Sequence, residues 1–280
     1  MKFDAQTSLY AVFGNPVGHS LSPVMHNTAF AETGFKGVYL AFRVLDIEAA
    51  MAAVRAIGIR GISVTIPHKI AAVNLLDEID EQARRIGAVN TVVNREGRLW
   101  GYNSDGQGAV RALLKKTAIQ GADIAIMGAG GAARAIGFSL LDNGGRITII
   151  NRSIQAGERL AENLGAGFKP LAGLKEIHAD ILINTTPLGM HPQTEELPLS
   201  PDLIRKEMLV MDIVYNPVQT ALLKHARSRG CRTVDGVDMF VYQGAGQFKL
   251  WTGKEAPLES MREAVLAALT ADGDGAGRNK

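Results

Sequence analysis

The sequence has little of what marks secreted, membrane-bound or nucleic-acid-binding proteins. A single cysteine, Cys231, excludes an intramolecular disulfide and agrees with a reducing compartment. The apolar runs are broken by glycines and by Arg134, so none reads as a membrane span, and the first residues lack the pattern of a signal peptide. Thirty basic residues against 28 acidic ones leave a net charge of +2, with no basic block to indicate nucleic acid or a membrane surface as partner. The six histidines lack metal-ligand spacing, so we expect no metal site. The single cysteine and the lack of a signal-peptide pattern predict a cytoplasmic setting.

The length and the pattern of apolar residues predict an α/β protein. The 280 residues, 46% hydrophobic and 21% charged, suffice for one large or two medium domains with their own cores. Strand-like and helix-like segments alternate from the start. "SLYAVFG" predicts a strand, and in the helix after it Ser22 suits the N-cap, Pro23 the first turn and Gly34 the end. Such alternation is typical of βαβ units and a mainly parallel sheet.

The alternating pattern starts again after "KKTAIQGAD", which places a domain boundary at residues 115–121. Before it, "AVNTVVNREGRLWGYN" predicts a β-hairpin that turns at residues 95–97, and a helix is predicted to begin at Asp105. The carboxyl-terminal "TADGDGAGRNK" is small and polar, which predicts a disordered tail over residues 271–280.

A glycine-rich turn follows the first predicted strand after this boundary. In "IAIMGAGGAARAIG", Gly128, Gly130 and Gly131 separate an apolar strand from an Ala-rich helix, which is the context of a dinucleotide-binding fingerprint. Gly128 would permit the tight turn, and the other two glycines would let backbone N–H groups approach a pyrophosphate. The spacing is G-x-G-G rather than G-x-G-x-x-G, and a purely structural turn is the alternative.

The end of the next predicted strand bears on the choice of nucleotide. "RITIINRS" ends in Asn151, Arg152 and Ser153, where an NAD-binding unit would normally carry a carboxylate for the ribose 2′-hydroxyl. A carboxylate would repel a 2′-phosphate, whereas the guanidinium of Arg152 can pair with it. The sequence therefore favours NADP, and a solvated loop arginine is the alternative.

A lysine in an apolar setting stands out near the amino terminus. In "GISVTIPHKIAAV", the alternation of Ile62, Val64 and Ile66 predicts a buried strand face, and Lys69 follows just past the strand end. A surface lysine would need no explanation, whereas a lysine in this setting raises the question of a chemical role.

Polar residues recur at predicted strand ends and in loops along the whole chain. The motifs are "GNPVGHSLSP" (14–23), "SVTIPHK" (63–69), "GAVNT" (87–91), "GYNSDG" (101–106), "GAGGAARA" (128–135), "NRS" (151–153), "INTTPLGM" (183–190), "DIVYNP" (212–217) and "MFVYQGAGQFKLWTG" (239–253). Together they resemble the shikimate dehydrogenase family, in the order expected for it, and they span nearly the whole chain except the tail.

The resemblance implies two α/β domains. An N-terminal substrate domain with a mainly parallel sheet would comprise residues 1–114 and 239–270, because the last helices return to the first domain in this family. A Rossmann-type NAD(P)-binding domain would comprise residues 115–238. The implied reaction is reversible hydride transfer between NAD(P)H and 3-dehydroshikimate, which gives shikimate, as in aromatic amino acid (chorismate) biosynthesis. The implied partner is a small hydroxycyclohexene carboxylate, and the sequence does not decide between a monomer and a homodimer.

The lysine–aspartate pair of this family falls on Lys69 and Asp105. An ammonium group at Lys69 would stabilise negative charge that develops on the substrate oxygen. Which member of the pair transfers the proton is not decided by the sequence.

The other site residues carry over from the family one at a time. Ser20 and Ser22 match serines that bind the substrate carboxylate, helix capping being the alternative role of Ser22. The remaining substrate-binding residues are Thr65, Asn90, Tyr215, Gln243 and, one turn further on, Gln247. The cofactor-binding residues are Gly128, Ala129, Gly130, Gly131, Ala132, Asn151, Arg152, Ser153, Thr185, Thr186, Pro187, Asp238 and Met239.

Three departures from the family pattern bear on specificity. Ser104 stands where a threonine is usual, Ala156 where NADP-type members commonly carry a second cation, and Asp238 replaces a glycine near the nicotinamide end. One cation instead of two weakens the binding of a 2′-phosphate, which leaves NAD open as the cofactor. A quinate or quinate/shikimate dehydrogenase that uses NAD is therefore the alternative. A non-catalytic NAD(P)-binding regulator is a further one, although the retention of both Lys69 and Asp105 argues against it.

Overall fold

A computed structural model describes residues 3–275 of the chain, which divides into two compact units. The first comprises the chain up to Ser104 together with the part from Gln243 onward, and the second comprises Asp105–Tyr242. The sequence pattern places the first domain boundary about ten residues later than this division. The helix that begins at Asp105 groups with the second unit because Gly106 packs against another helix of that unit, where an added Cβ would lie 2.4 Å from the carbonyl oxygen of Ala135.

Each unit is built on a six-stranded sheet. In the first, the strands are β1 (Ser8–Gly14), β2 (Gly37–Arg43), β3 (Gly61–Val64), β4 (Glu78–Ile79), β5 (Thr91–Arg95) and β6 (Arg98–Tyr102). In the second, they are β7 (Asp123–Met127), β8 (Arg146–Asn151), β9 (Gly167–Pro170), β10 (Ile181–Asn184), β11 (Leu209–Asp212) and β12 (Arg232–Val234).

The helices alternate with these strands. They are α1 (Ser22–Glu32), α2 (Ile47–Ile57), α3 (Glu81–Ile86), α4 (Asp105–Leu114), α5 (Gly131–Asp142), α6 (Ile154–Leu164), α7 (Ala221–Ser228), α8 (Gly236–Thr252) and α9 (Leu258–Gly275), with short 3-10 helices at Ala71–Leu75 and Pro201–Leu203. Within the described part of the chain, no helix combines the length and the apolar character that crossing a membrane requires.

Both ends of α2 follow local sequence signals, whereas the start of α1 does not. The carboxylate of Asp46 caps α2 by accepting hydrogen bonds from two backbone N–H groups, and Gly58 ends that helix with a φ of +70°. The prediction that Ser22 caps α1 is wrong. Ser22 is already the first helical residue, and Leu21, whose side chain makes no capping hydrogen bond, occupies the cap position.

The sheet of the first unit mixes two strand directions, in the order β2-β1-β3-β5-β6-β4. Strands β1, β2 and β3 are parallel, whereas β5 runs antiparallel to both β3 and β6. The predicted hairpin is confirmed, and Glu96 and Gly97 form its turn with φ values of +54° and +89°. Because of these directions, the ends of β1, β3 and β6 and the start of β5 all lie at one edge of the sheet.

The sheet of the second unit is parallel throughout, in the order β12-β11-β10-β7-β8-β9. Counted within this unit from β9, the order is 3-2-1-4-5-6, which is that of the Rossmann fold, with its topological switch point between β7 and β10. The predicted α/β class and the dinucleotide-binding architecture are therefore confirmed.

Each unit has its own apolar core. Around β3 the first core includes Phe13, Met51, Val54, Ile62 and Leu99. In the second unit the core includes Met127, Ile150, Leu182, Val210 and Leu222. All four residues of β3 are buried. Ile66, however, is 58% exposed, because β3 ends at Val64, so the predicted buried alternation does not reach it.

The carboxyl-terminal helix extends into the segment that was predicted to be disordered. Helix α9 runs to Gly275, so residues 271–275 are helical. The Ala-rich "AVLAALTA" before them has high helix propensity, which favours continuation of the helix. The rest of the predicted tail, 276–280, lies outside the described residues.

A histidine lies at the centre of the first unit. His26 is fully buried, stacked on the ring of Tyr39 at 4.5 Å, and its Nε2 lies 3.3 Å from Oε1 of Gln247. Its Nδ1 has no hydrogen-bond partner among the described residues. Burial lowers the pKa of His26 to about 3, so the folded protein holds this ring neutral.

This burial predicts a loss of stability in acid. The pKa of His26 is about 3 in the folded state against an ordinary value of 6.5 in the unfolded chain, so between these pH values only the unfolded chain binds the proton. We expect His26 alone to lower the free energy of unfolding by about 2 kcal/mol from pH 7 to pH 5. Urea titrations across this range measure it, and His26→Phe should flatten the profile. The same change at the exposed His225 is the control, and equal slopes for His26→Phe and wild type would contradict the assignment.

Candidate functional site

In the first unit, Lys69 lies in a turn that the backbone holds rigidly. The N–H of His68 donates to the carbonyl oxygen of Thr65 at 2.9 Å, and the carbonyl oxygen of Lys69 accepts from the N–H of Val89 at 2.8 Å. The ring of His68 is buried and contacts the carbonyl oxygen of Val44 at 2.9 Å. His68 thus anchors the turn, which leaves Lys69 half-buried at the sheet edge where β3 ends.

Asn90 and Ser104 meet at the same sheet edge. The backbone N–H of Ser104 donates to Oδ1 of Asn90 at 2.9 Å, and Nδ2 of Asn90 donates to Oγ of Ser104 at 3.0 Å. Both residues are almost completely buried. The loss of a methyl group at Ser104, relative to the family's threonine, keeps the hydroxyl that this pairing needs. Asp105 follows directly, opens α4 and is 5% exposed.

Ser20 and Ser22 lie together at the start of α1. The hydroxyl groups are 3.2 Å apart, and Oγ of Ser20 accepts from the N–H of Ser22 at 3.3 Å. Both hydroxyl groups lie at the start of α1, where an anion is favoured and hydroxyl groups can donate hydrogen bonds to it.

The two glutamines of α8 differ in their surroundings. Gln243 is half-buried. Gln247 is 2% exposed, and its amide oxygen and nitrogen both bond to protein groups, among them Ser63 at 2.9 Å and Thr91 at 3.1 Å. The amide of Gln247 is therefore saturated within the core, which argues against its predicted contact with the substrate.

In the second unit, the glycine-rich turn connects β7 to α5. Gly128 has a φ of +110°, and an added Cβ would lie 2.6 Å from the hydroxyl of Thr185, so only glycine fits here. Gly130 occupies the cap position of α5 and carries no side chain to occupy the first N–H groups. A 12-residue helix with such a start is suited to bind a pyrophosphate. Ala129, Gly131 and Ala132 complete the turn and are all half-buried.

The loops after β10 and β11 are joined by buried polar groups. Oδ1 of Asp212 accepts from Nδ2 of Asn184 at 2.9 Å, and Oδ2 accepts from the hydroxyl of Thr220 at 2.7 Å. Oδ1 of Asn184 in turn accepts from the hydroxyl of Thr186 at 2.7 Å. Burial raises the pKa of Asp212 to about 6. This network fixes the loop that carries Thr185, Thr186 and Pro187.

At the end of β8, three predicted cofactor residues have different roles. Ser153 is the N-cap of α6 and accepts from the N–H of Ala156, and Nδ2 of Asn151 donates to the carbonyl oxygen of Ser153 at 2.9 Å. The side chain of Arg152 is exposed. The first turn of α6 carries no acidic residue that would repel a phosphate.

The start of α8 explains one of the departures from the family. Asp238 forms an ion pair with Lys115 at 3.3 Å, and the ring of Tyr242 lies under Lys115 at 4.9 Å and under Arg111 at 4.4 Å. The carboxylate that replaces the family's glycine is thus neutralised by a neighbouring cation. Met239 beside it is 6% exposed, and Tyr215 stacks on Phe240 at 4.3 Å.

The structure places the predicted residues at strand ends and in or beside helices within each unit, and it adds polar residues that the sequence analysis does not assign. These are Asn184, Asp212 and Thr220, which lie in or beside motifs with assigned members. Asn184 and Asp212 end buried strands, where a polar residue usually needs a partner, and Thr220 is the N-cap of α7. No group of ligating side chains suited to a metal ion occurs within residues 3–275.

A Rossmann unit with this turn, in a chain whose other unit is an α/β unit with a lysine at its strand edge, defines a two-domain dinucleotide-binding protein. The chain matches the shikimate dehydrogenase substrate binding domain over residues 12–92, the shikimate/quinate 5-dehydrogenase model over 111–221 and the shikimate 5′-dehydrogenase C-terminal domain over 236–266. It belongs to the shikimate dehydrogenase family.

Relatives support this membership. A shikimate dehydrogenase (NADP(+)) from Geobacillus kaustophilus is 48% identical over 93% of this chain and 98% of its own. A crystal structure of a shikimate dehydrogenase with NADP+ is 40% identical, covering 96% of this chain and 98% of its own with a TM-score of 0.91. The enzyme of Thermus thermophilus with NADP(H) and shikimate is 37% identical, covering 94% of this chain and 100% of its own, with a TM-score of 0.87. Among more distant relatives, a quinate dehydrogenase from Corynebacterium glutamicum with NAD is 30% identical, covering 93% and 99%, with a TM-score of 0.85.

The buried carboxyl of Asp212 generates a prediction for the second unit. Its pKa is raised from 3.8 to about 6, so the unfolded chain releases this proton first as the pH rises, and stability present below pH 4 is lost through pH 6. Asp212→Asn keeps Oδ1 for Asn184, and the hydroxyl of Thr220 can reverse to accept. We expect the variant to lack this loss, worth about 3 kcal/mol.

Chemical denaturation between pH 4 and pH 7.5 measures how the free energy of unfolding changes with pH. The slopes of each variant and of wild type are then compared. Asp202→Asn, at a carboxylate that is 88% exposed and pairs with Arg229, is the matched control. A slope for Asp212→Asn that equals those of wild type and control would show that Asp212 is ionised like any surface carboxylate.

Proposed function

We propose that this chain is a shikimate dehydrogenase that reduces 3-dehydroshikimate to shikimate with NADPH, and catalyses the reverse reaction, within aromatic amino acid biosynthesis. The observation that carries the proposal is the presence of the family's motifs, with three departures, on a family member, with Lys69 held in a fixed turn and Asp105 at the start of α4. The activities of similar relatives, a shikimate dehydrogenase (NADP(+)) and a shikimate dehydrogenase in complex with NADP(H) and shikimate, agree with it.

The proposed catalytic roles follow from charge. When bound, NADPH supplies the hydride that reduces the substrate carbonyl carbon. The ammonium group of Lys69 stabilises the negative charge that develops on the carbonyl oxygen, and Lys69 and Asp105 together deliver the proton to that oxygen. Ser20 and Ser22 bind the substrate carboxylate through hydroxyl groups that lie 3.2 Å apart. Thr65, Asn90, Tyr215 and Gln243 complete the proposed substrate contacts.

Removal of the lysine ammonium should abolish most of the turnover. We expect Lys69→Ala to lower kcat for shikimate oxidation on the order of 10²–10⁴-fold, because general acid–base and electrostatic catalysis at the substrate oxygen are both lost. Binding of NADP, measured by isothermal titration calorimetry, should stay unchanged. Lys36→Ala, at an exposed lysine paired with Asp4, is the control. Turnover that survives in Lys69→Ala would remove Lys69 from the mechanism.

The proposed cofactor is NADP. The exposed guanidinium of Arg152 would hold the 2′-phosphate, with Asn151 and Ser153 fixing the turn around it. The backbone N–H groups at the start of α5, in residues 128–132, would bind the pyrophosphate, and the loop of residues 185–187 flanks the same sheet edge. Asp238 and Met239 are assigned to the nicotinamide end, where Lys115 neutralises the carboxylate of Asp238.

Removal of the positive charge at residue 152 should change the KM for NADP but not the KM for NAD. We expect Arg152→Ala to raise the KM for NADP about 10-fold or more and to leave the KM for NAD within about twofold, since a charge-assisted hydrogen bond contributes about 1.5–3 kcal/mol. The control is Arg159→Ala, at an exposed arginine further along α6. Ala156→Lys, which restores the second cation, should lower the KM for NADP. Equal effects of Arg152→Ala on both cofactors would show that the guanidinium does not bind the 2′-phosphate.

A quinate dehydrogenase that uses NAD is the second candidate, favoured by Ala156 and by the relative from Corynebacterium glutamicum. Steady-state oxidation of shikimate and of quinate, each with NADP and with NAD, decides between the two. Shikimate with NADP should be the best pair. A higher kcat/KM with quinate than with shikimate, or with NAD than with NADP, would overturn the biosynthetic assignment. The absence of all turnover would favour a nucleotide-binding regulator.

We propose the cytoplasm as the compartment. The support is the single thiol, Cys231, which is free and buried and whose Sγ lies 3.1 Å from the carbonyl oxygen of Arg205. A homodimer is one of the assemblies that the sequence leaves open. Sedimentation velocity separates a species of 29.9 kDa from one of twice that mass.

A further inference from the structure

A chain of buried polar side chains crosses the apolar interior of the first unit and ends at the proposed substrate site. Its members, which we call the Gln247 network, are His26, Tyr39, Ser63, Asn90, Thr91, Ser104 and Gln247. Six of them are polar residues less than 9% exposed, and the seventh, Tyr39, is fully buried. Neighbours such as Met25, Ile62 and Phe248 are apolar and fully buried as well.

The amide of Gln247 can adopt only one orientation in this network. Its Nε2 lies 3.1 Å from the carbonyl oxygen of Asn90, which can only accept, so the nitrogen must face that carbonyl. Its Oε1 then accepts from the hydroxyl of Ser63 at 2.9 Å, and Ser63 accepts from the hydroxyl of Tyr39 at 2.6 Å. His26 must donate from Nε2 to the same oxygen, which fixes its tautomer and leaves Nδ1 without a proton.

The orientation of Gln247 sets the proton of Thr91, and Thr91 bears on Asn90. The second N–H of Gln247 Nε2 donates to the hydroxyl oxygen of Thr91 at 3.1 Å. The single hydroxyl proton of Thr91 therefore points to Oδ1 of Asn90, 2.7 Å away. The backbone N–H of Ser104 donates to the same Oδ1 at 2.9 Å. Two donors thus fix the position of Oδ1 of Asn90, and this fixes Nδ2 as the amide atom that donates to Oγ of Ser104 at 3.0 Å.

The energetic balance argues against a purely structural role. Burying amide and hydroxyl groups in an apolar core costs free energy unless each is hydrogen-bonded, and apolar side chains of the same shape would fill the space at least as well. A fully satisfied network does give one thing that an apolar core cannot, a single defined direction for each hydrogen bond. Its end is at Asn90 and Ser104, the residue before Asp105.

We propose that Gln247 and Thr91 are positioning residues, which fix the amide of Asn90 so that it presents its N–H group, rather than its oxygen, to a hydroxyl oxygen of the substrate. This inference rests on the proposed function, in which Asn90 contacts the substrate. Neither Gln247 nor Thr91 touches the substrate itself. Their effect should therefore appear in the binding of the substrate and not in the binding of NADP.

The test compares two substitutions at residue 91. Thr91→Val keeps the shape of the side chain but can neither accept from Gln247 nor donate to Asn90, whereas Thr91→Ser keeps both bonds. We expect Thr91→Val to raise the KM for shikimate about 10-fold with the KM for NADP within about twofold, and Thr91→Ser to restore a KM within about threefold of wild type. Thr33→Val, which removes a hydroxyl bonded to the carbonyl oxygen of Ala29, is the matched control.

A second readout does not depend on turnover. The N–H of Ser104 is bonded to Oδ1 of Asn90, so its hydrogen–deuterium exchange should be several-fold faster in Thr91→Val than in Thr91→Ser, wild type or Thr33→Val. A wild-type protein that oxidises neither shikimate nor quinate would refute the proposed function, and the exchange of Ser104 would still test the network. Unchanged exchange, or an unchanged KM for shikimate in active Thr91→Val, would overturn the positioning role.

Discussion

The direction of the strands is the constraint on which the functional groups of this protein depend. In the second unit all strands are parallel, so every strand ends at one edge, and Gly128, Asn151, Asn184 and Asp212 follow or close four neighbouring strands there. In the first unit two strand reversals achieve the same result. The antiparallel β5 brings its beginning, not its end, beside the ends of β3 and β6.

A second constraint is that polar groups collected at such an edge must be satisfied, since the strands beneath them are buried. Each unit solves this with a network of side chains behind the groups assigned to ligands. Asp212 joins Asn184 and Thr220 in the second unit, and Gln247 joins Ser63 and Thr91 in the first. Burial has a cost in both networks: Nδ1 of His26 has no hydrogen-bond partner within residues 3–275, and burial raises the pKa of Asp212.

The sequence predicted the elements whose signals are local. The glycine turn at residue 128 and the hairpin at 95–97 follow from the chemistry of a few adjacent residues. The sequence carries no such signal where distant residues decide. Gln247 lies one turn from Gln243 and looks equivalent in sequence, but only its partners on β3 and β5 show that its amide is consumed in the core. Likewise, nothing near Asp105 indicates that α4 packs with α5, because the contact between Gly106 and Ser139 spans more than 30 residues.

The assignment of Lys69 and Asp105 as a catalytic pair rests on the resemblance to the family. Lys69 and Asp105 are far apart in sequence, and neither has a spacing that indicates chemistry. The structure adds a role for His68, which anchors the lysine turn through the carbonyl oxygen of Val44, and a counter-ion for the unusual Asp238, which is Lys115. A substitution that looks disruptive in a motif is thus compensated by a neighbour outside it.

The single thiol has a practical consequence. Cys231 lies in the core of the second unit, 7% exposed, and burial raises the pKa of the thiol, so a reagent reaches it only when that core opens. The thiol therefore reports how often the core of the nucleotide-binding unit opens. The rate at which an alkylating agent modifies Cys231, measured with and without dinucleotide, gives the free energy by which the ligand stabilises this unit against opening.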